Sequence, residues 1–487
     1  MRQSTMLSLA ALFLLLALSI SSLTADSGGK IPVTSSSKEA LAEFIEGQTL
    51  VDNLRLTDAI PHFQKAVQID PGFALGYLYL AQSAPTAKDF FAALDKAAAL
   101  ASHASKGEQL WIKGFKAGAY GDPSGQRKSF EELVQTFPGD ERAQTLLGTS
   151  FFGQQDYVKA IEHLKKAVDM KPDFAPAYNQ LGYAYRFVNQ YSEAEKTFKR
   201  YTELLPDDPN PYDSYAELLL KMGRFDEAIA QYRKALSINP FFANSFTGIA
   251  AALMYENKHE EARAELQKAY TVARNDGEKR ASLFCRAVAY VDEGNSSLAL
   301  KELEQQKAVA MNINDAAAMG GDEVAMGNIL LQTGKADEAL AKYNEGLALI
   351  TKANLAKEVK ENATLISHYN AARAYVVKGD LATAKAEGEK LRAGATAKKN
   401  QNQIRLAHEV AGTIALAAKE YSKAIEELKQ ANQQDPNVLY HLALAYQATG
   451  NASEARKYCI GAARFNGLPA LNIAFVRQKA EKLLATL

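Results

Sequence analysis

The strongest constraint on this chain is a repeat of 34 residues that runs from residue 138 to residue 262. Three ladders keep this period, one of proline, one of glycine or alanine, and one of alanine. They are Pro138, Pro172, Pro206 and Pro240; Gly148, Gly182, Ala216 and Ala250; and Ala160, Ala194, Ala228 and Ala262. A fixed period of roughly 20–50 residues is the mark of a repeat array, in which each unit packs only on its neighbours.

Each repeat has the pattern of two helices. In residues 175–208 the apolar positions follow helical spacing in two successive segments: Tyr178, Leu181, Gly182 and Tyr185, then Ala194, Phe198 and Tyr201. Gly182 and Ala194 are small, which predicts that the two helices cross with no room for a side chain between their backbones. Pro206 ends the second helix. The pattern therefore predicts a helical hairpin whose apolar face is covered by the next hairpin.

The period and the small-residue positions resemble those of the tetratricopeptide repeat family. The resemblance extends over nearly all of the chain after the first 38 residues. It implies an all-α, right-handed superhelical solenoid of about 11–12 hairpins. Glycines recur where first helices would end, a position that favours left-handed backbone, at Gly294, Gly334, Gly379 and Gly450.

The repeat becomes less regular after residue 274. The ladder from Ala262 through Ala299 and Ala339 to Ala384 has steps of 37, 40 and 45 residues. We therefore divide the chain into an N-terminal array (39–274) and a less regular C-terminal array (275–467). They form one superhelix, or two sub-solenoids that meet near residues 275–320.

The last helix, within residues 468–487, is expected to cap the array, because a solenoid needs a polar outer face at its end. Leu471, Phe475 and Leu483 are predicted to face the last repeat. The charged residues of this helix are predicted to face water: Arg477, Lys479, Glu481 and Lys482.

Residues 1–25 have the pattern of a secretory signal peptide: Arg2, an apolar run over 6–20, and a small residue at Ala25. The apolar run is shorter than the roughly 20 residues that span a bilayer. We expect export to the periplasm or exterior with cleavage after Ala25; an uncleaved membrane anchor is the alternative. Residues 26–38 contain a Gly/Ser-rich stretch and are predicted to be a flexible linker.

The rest of the composition argues against nucleic-acid binding, metal binding and catalysis. Lys plus Arg equals Asp plus Glu, 56 against 56, so the basic footprint of a nucleic-acid-binding protein is missing. Cys285 and Cys459 are too few for a zinc site or a disulfide framework, and we expect both to be buried. The histidines are scattered, and the common metal, nucleotide and hydrolase motifs are absent. We therefore expect no enzyme, no cofactor, no metal site and no nucleic-acid partner.

The resemblance implies where a partner binds. In the family, the first helix of each hairpin lines the concave face, and its positions outside the core contact the ligand. Carried onto this chain, the candidate residues are Asn179, Tyr183, Arg186, Asp213, Glu217, Asn244, Asn328, Tyr369, Asn370 and Arg373. Asn and Arg can grip a peptide backbone and carboxylates, and Tyr adds rigid contact area. The implied function is a non-catalytic scaffold that binds a protein or peptide.

The alternative is a sensory protein of the same fold that binds a small molecule or a glycan. A peptide partner predicts an open groove with dispersed polar contacts, whereas a small ligand predicts a closed pocket with clustered aromatic residues. The candidates for such a cluster are Trp111, Phe115 and Tyr120, although Trp111 also fits a core position.

Overall fold

The computed structural model describes residues 29–487, together with the backbone of residues 23–24. The predicted signal peptide and its cleavage site lie outside the residues whose surroundings are described. Within the described part, 25 α-helices follow one another as twelve antiparallel hairpins and a final helix. The predicted all-α solenoid of tetratricopeptide-type hairpins with a C-terminal capping helix is confirmed.

The helices of each hairpin pack on each other and on the next hairpin. The first helices are α1 (Lys38–Asp52), α3 (Ala74–Gln82), α5 (Lys106–Ala119), α7 (Glu141–Gly153), α9 (Ala175–Phe187), α11 (Pro209–Lys221), α13 (Ala243–Tyr255), α15 (Asp276–Asp292), α17 (Ala316–Gln332), α19 (Lys357–Lys378), α21 (Gln401–Ala417) and α23 (Pro436–Ala448). The second helices are α2 (Leu56–Ile69), α4 (Ala87–Leu100), α6 (Pro123–Thr136), α8 (Tyr157–Met170), α10 (Tyr191–Leu204), α12 (Phe225–Ile238), α14 (His259–Val272), α16 (Ser296–Asn312), α18 (Ala336–Lys352), α20 (Leu381–Ala397), α22 (Tyr421–Gln430) and α24 (Ala452–Ala463). The final helix is α25 (Leu471–Leu484), and a short 3-10 helix covers Ala101–His103. Two short strands, β1 (Leu23–Thr24) and β2 (Thr34–Ser35), pair antiparallel.

The regular spacing of small residues along the chain has a physical reason that differs from the predicted one. A Cβ at Gly182 would lie 2.6 Å from the ring of Phe198, so the space over this glycine is filled by an aromatic side chain of the second helix rather than by its backbone. The same arrangement recurs in three other hairpins, as Gly47 with Phe63, Gly114 with Phe130, and Gly327 with Tyr343. The predicted left-handed glycines are confirmed, with φ between 76° at Gly450 and 86° at Gly294.

The array is wound so tightly that its successive turns touch. Hydrogen bonds join each of the first four hairpins to the seventh hairpin after it. They run from Thr57 to Glu278, from the Lys88 amide to Asp315, from Asn362 to the Tyr120 carbonyl, and from Asn402 to the Gly153 carbonyl. Neighbouring helices also pack without a break from α14 to α17, across the region where the repeat length changes.

Side chains also cross the inner side of the coil. Arg142 at the start of α7 donates two hydrogen bonds, of 2.9 and 2.5 Å, to the carboxylate of Asp52 at the end of α1. The guanidinium lies over the ring of Phe174, 5.1 Å from its centroid. The first and fourth hairpins are therefore joined directly across the face that would be open in a more loosely wound array.

The segment before α1 differs from the predicted flexible linker. The described residues 29–37 lie along the array, and their backbone amides donate to buried carboxylates: Ile31 to Asp140 (2.9 Å), Thr34 to Glu108 (2.9 Å) and Ser36 to Asp70 (2.7 Å). The composition of this segment is that of a linker. Its order comes from acceptors that lie 34 to 109 residues further along the chain.

The final helix caps the array as predicted, with one correction. Phe475 and Val476 are buried, but Arg477, which the helical pattern placed in water, is also buried, with 4% of its surface exposed. Its guanidinium donates to both oxygens of Asp292 at the end of α15, at 3.0 and 2.5 Å. Beside it, the hydroxyl of Tyr255 donates to the Gly467 carbonyl (2.8 Å). The last helix therefore docks on the hairpins of the preceding turn as well as on α24.

Candidate functional site

The structure ties most of the N-terminal candidate residues to a neighbouring first helix. The hydroxyl of Tyr183 donates to Glu217 (2.9 Å), and Arg186 donates to the other oxygen of the same carboxylate (3.1 Å). Asn179 accepts from Ser214 (3.1 Å) on the next first helix. These contacts join α9 to α11, so the polar groups that the family resemblance assigned to a partner serve as partners for each other.

Asp213 belongs to the same group. Its carboxylate is buried and accepts a hydrogen bond of 2.6 Å from Ser245 on α13. Burial, together with the nearby Glu217, raises the pKa of Asp213 to about 8. A carboxyl group in this position is better suited to holding two repeats together than to attracting a cation from solvent.

Asn244 lies apart from the others, in a groove between the ends of hairpins. This seam groove, of about 330 Å³, runs between the first turn and the next, and it is lined by residues 54–58, 83–85, 239, 241–244, 274–275, 277–278 and 281. It contains three of the large apolar side chains that remain exposed, Leu54 (42%), Leu56 (36%) and Phe241 (53%). Asn244 is itself exposed at its edge.

The charged groups around the seam groove are paired. Arg274 donates to Asp58 across the two turns (2.6 Å), and Arg55 donates to the other oxygen of the same carboxylate (2.9 Å). Asn275 donates to Thr57 (3.1 Å). The groove therefore contains exposed apolar side chains, and the charged side chains at its edge are paired with one another.

The C-terminal candidates lie on the inner side of the second turn. Arg373 donates to Asn328 (3.1 Å) and lies over the ring of Tyr369, whose hydroxyl donates to Glu409 (2.8 Å). Asn370 is buried, with 3% of its surface exposed. Of the four residues predicted here, Arg373 lines a cavity.

That cavity, of about 390 Å³, is called here the axial pocket. It is lined by residues of four successive first helices or their ends and of the last helix: Leu331, Gln332, Gly334, Arg373, Val376, Val377, Glu409, Thr413, Asn437, Tyr440, His441, Val476 and Lys479. Lys479 on α25 donates to Gln332 on α17 (2.9 Å), which closes the ring of helices.

The titratable groups of the axial pocket are strongly perturbed. Burial and the neighbouring Asp435 raise the pKa of Glu409 to about 7, against the opposing effect of Arg373. Burial, with the positive charges of Arg373 and Lys479, lowers the pKa of His441 to about 4. The Nδ1 atom of His441 is buried and has no hydrogen-bond partner within residues 29–487. Near neutral pH the imidazole is therefore uncharged.

Sequence reasoning missed Glu409, His441 and Lys479. They follow Tyr369 at steps of 40, 32 and 38 residues, so no fixed period connects them. Aligning the first helices while allowing the loops to vary would have placed them on one face.

The aromatic cluster considered for a small ligand is part of the core. Trp111 is buried and meets Tyr79 edge to face at 5.7 Å, and Tyr120 stacks on Phe91 at 5.7 Å. Both cysteines are free and buried, as expected. Among the described residues, no group of three or more His, Cys, Asp and Glu side chains is arranged to hold a metal ion. None of the helices in this part of the chain is long and apolar enough to cross a membrane.

Comparison with protein families identifies the type of repeat in the regular hairpins. Three family models described as tetratricopeptide repeat match residues 121–175, 151–218 and 209–242, which together span α6 to α12. The chain is a tetratricopeptide repeat protein. Its repeats and their packing are those of a protein-interaction scaffold. No curated protein is similar enough to count as a match.

Several solved structures are similar over about a third of the array. Two crystal structures of MamA are 25% and 26% identical, cover 34% and 33% of this chain and 91% and 93% of their own, and give a TM-score of 0.29 each. A MamA RS-1 ArsTM double mutant is 15% identical, covers 34% of this chain and 94% of its own, and gives a TM-score of 0.30.

Proposed function

We propose that this tetratricopeptide repeat protein is a non-catalytic scaffold that works in the periplasm or outside the cell and holds a partner protein in the seam groove. The observation that carries the proposal is the convergence of Leu54, Leu56 and Phe241, all exposed, on one groove. Exposed apolar side chains gathered in one place and rimmed by polar groups are typical of protein–protein contact sites.

The groove chemistry defines the partner segment. Because Arg274 and Arg55 are paired at the rim with the carboxylates of Asp58 and Glu278, a charged segment gains little there. An apolar segment gains by covering the exposed parts of three large side chains. Because these are 36–53% exposed, each contributes about half of the roughly 1.5–3 kcal/mol that complete burial of an exposed side chain gives. The partner is therefore a protein that offers one or two large apolar side chains from an exposed loop or helix.

The inner face is less suited to an extended peptide. Arg142 and Asp52 bridge it in the first turn, and Tyr183 and Glu217 use each other as partners. A peptide that displaced these bonds would leave buried charges unpaired, which is costly. This favours the seam groove, beside which Asn244 is the one family-implied residue that remains exposed.

Site-specific photocrosslinking tests the groove. The photoreactive residue p-benzoylphenylalanine replaces Phe241, an aromatic position, and the protein is irradiated in an envelope extract of the source organism. The matched control carries the same residue at Val158, which is 74% exposed on α8, away from the groove. We expect a discrete crosslinked protein from position 241 that is absent at position 158. Equal products from both positions, or none from position 241, would overturn the proposal.

The proposed location rests on the sequence of residues 1–25. Expression of the full chain in a Gram-negative host, followed by fractionation and mass spectrometry of the N-terminal peptide, tests it. We expect a periplasmic protein that begins at Asp26. An intact N-terminus in the membrane fraction would support the anchor instead, and an intact N-terminus in the cytoplasm would refute export.

A further inference from the structure

The axial pocket contains two cations that lack a carboxylate partner. Four other half-buried or buried arginines are paired with carboxylates: Arg142 with Asp52, Arg186 with Glu217, Arg280 with Asp322, and Arg477 with Asp292. Arg373 and Lys479 have no carboxylate oxygen within 4.0 Å among residues 29–487. Each donates only to a side-chain amide, of Asn328 and Gln332 respectively.

The donors of these two side chains are largely unused. A guanidinium has five N–H donors and an ammonium has three, and one of each is accounted for by the amides of Asn328 and Gln332. Charged donors bind a carboxylate more strongly than they bind a neutral acceptor. The buried Nδ1 atom of His441 in the same pocket has no partner among residues 29–487 and adds a third polar position that a ligand can reach.

We propose that the axial pocket binds a small organic acid. One carboxylate lies between Arg373 and Lys479, and a short aliphatic or aromatic tail lies against Val376, Val377 and Val476. The pocket volume of about 390 Å³ falls in the range of small-molecule sites, roughly 300–1,000 Å³. This site is separate from the seam groove and does not depend on it.

The charge balance selects a single carboxylate over a phosphate. Glu409 lines the pocket, and Asp435 lies close enough to affect its ionisation. With His441 neutral, the two cations face one partly ionised acid and a second carboxylate nearby. When Glu409 is protonated, the two cations face Asp435 alone and a ligand with one negative charge completes the balance, whereas a doubly charged phosphate would exceed it.

A carboxylate of this kind has two sources, a free acid or the C-terminus of a peptide. Calorimetric titration of the full-length protein separates them. The free acids are phenylacetate, 4-methylpentanoate and N-acetyl-leucine. Phenylacetamide serves as the neutral control and phenyl phosphate as the dianionic control. An eight-residue peptide that ends in leucine represents the C-terminus of a chain. We expect at least one free acid to bind, and phenylacetamide and phenyl phosphate to bind at least about tenfold more weakly than the matching acid.

A variant of the pocket and a matched control assign the binding to this site. Lys479→Met removes the charge from the exposed side of the pocket and keeps the length of the side chain; Lys482→Met makes the same change on the same helix, at an exposed position outside the pocket. We expect acid binding to weaken about tenfold in Lys479→Met and to be unchanged in Lys482→Met. Thermal melts of both variants show that the fold is retained.

Three outcomes would overturn the proposal. They are no binding by any of the three acids, equal binding of phenylacetamide, and equal weakening in both lysine variants. Tighter binding by the peptide than by N-acetyl-leucine would overturn the free acid as the natural source. Tighter binding by phenyl phosphate would overturn the choice of a single charge. A Phe241→Ser variant of the seam groove should bind the acid as the unaltered chain does, so that failure here and failure of the scaffold proposal are distinguishable.

Discussion

The buried ion pair between Arg477 and Asp292 should control whether the last helix stays docked. Replacing Arg477 by Met removes one partner of a pair whose side chains are 5% and 2% exposed. It leaves the carboxylate buried, with the Nδ1 atom of His259 3.7 Å away. Breaking a buried pair in this way costs about 3–5 kcal/mol.

That cost is comparable with the free energy that holds α25 in place. Phe475 and Val476 are the large apolar side chains that this helix buries fully, and each contributes about 1.5–3 kcal/mol. In a repeat array the terminal unit contacts only its neighbours and can open alone. We therefore expect Arg477→Met to undock α25 locally while the hairpins remain folded.

Hydrogen exchange followed by mass spectrometry measures this opening. Amides of residues 471–484 should lose about 100- to 1000-fold of their protection, whereas amides of α9 to α12 should be unaffected. Arg456→Met, the same change at an exposed position of α24, is the control. The double variant Arg477→Met/Asp292→Leu should recover protection, since an apolar pair of similar size often replaces a buried ion pair without loss. Unchanged protection in the single variant, or no recovery in the double variant, would refute this reasoning.

Two further predictions concern packing and pH. Gly182→Ala should lower the free energy of unfolding by about 1–3 kcal/mol, because its Cβ would lie 2.6 Å from Phe198. Gly153→Ala, where nothing lies within 4 Å, should instead be neutral or stabilising by up to about 1 kcal/mol in the same urea titrations. Glu409→Gln should become progressively more stable than the unaltered chain as pH rises from 5 to 8, by roughly 3 kcal/mol at the upper end. The folded pKa of Glu409, about 7, exceeds that of the unfolded chain, so its stabilising effect is present at low pH and is lost as pH rises through that value. Thermal melts at several pH values that run parallel for the two proteins would contradict this, given that Gln still accepts from Tyr369.

The fold was predictable because its signals are local. The 34-residue period, the glycine opposite Phe198 and the left-handed glycines at helix ends all act within one hairpin. The burial of Arg477 was not predictable, because its partner Asp292 lies 185 residues earlier and reaches it only when the coil completes a turn. The order of residues 29–37 was missed for the same reason.

The candidate sites could likewise be predicted only where they depend on local sequence signals. The resemblance assigned Arg373 to a binding face because it lies on a first helix, and in the structure this residue lines the axial pocket. It did not indicate that the hydroxyl of Tyr183 would donate a hydrogen bond to Glu217, because this bond depends on how closely neighbouring first helices approach. Helical periodicity placed Lys479 in water, and it is exposed. It did not indicate that the docking of α25 lets this lysine donate to Gln332 at the pocket wall.

The docking of α25 and the occupancy of the axial pocket must be linked. The helix supplies Val476 and Lys479 to the pocket, so an acid that needs Lys479 binds only while α25 is docked. A ligand that binds one of two states stabilises it by RT ln(1 + [L]/Kd), about 2.7 kcal/mol at a concentration 100 times Kd. Saturating acid should therefore raise the protection of residues 471–484 by about 100-fold if these amides exchange only through undocking of α25. Conversely, Arg477→Met should weaken acid binding without altering any pocket residue. Tight winding thus gives this tetratricopeptide repeat protein a way to couple its last helix to a ligand held at its axis, which an open array of the same hairpins would lack.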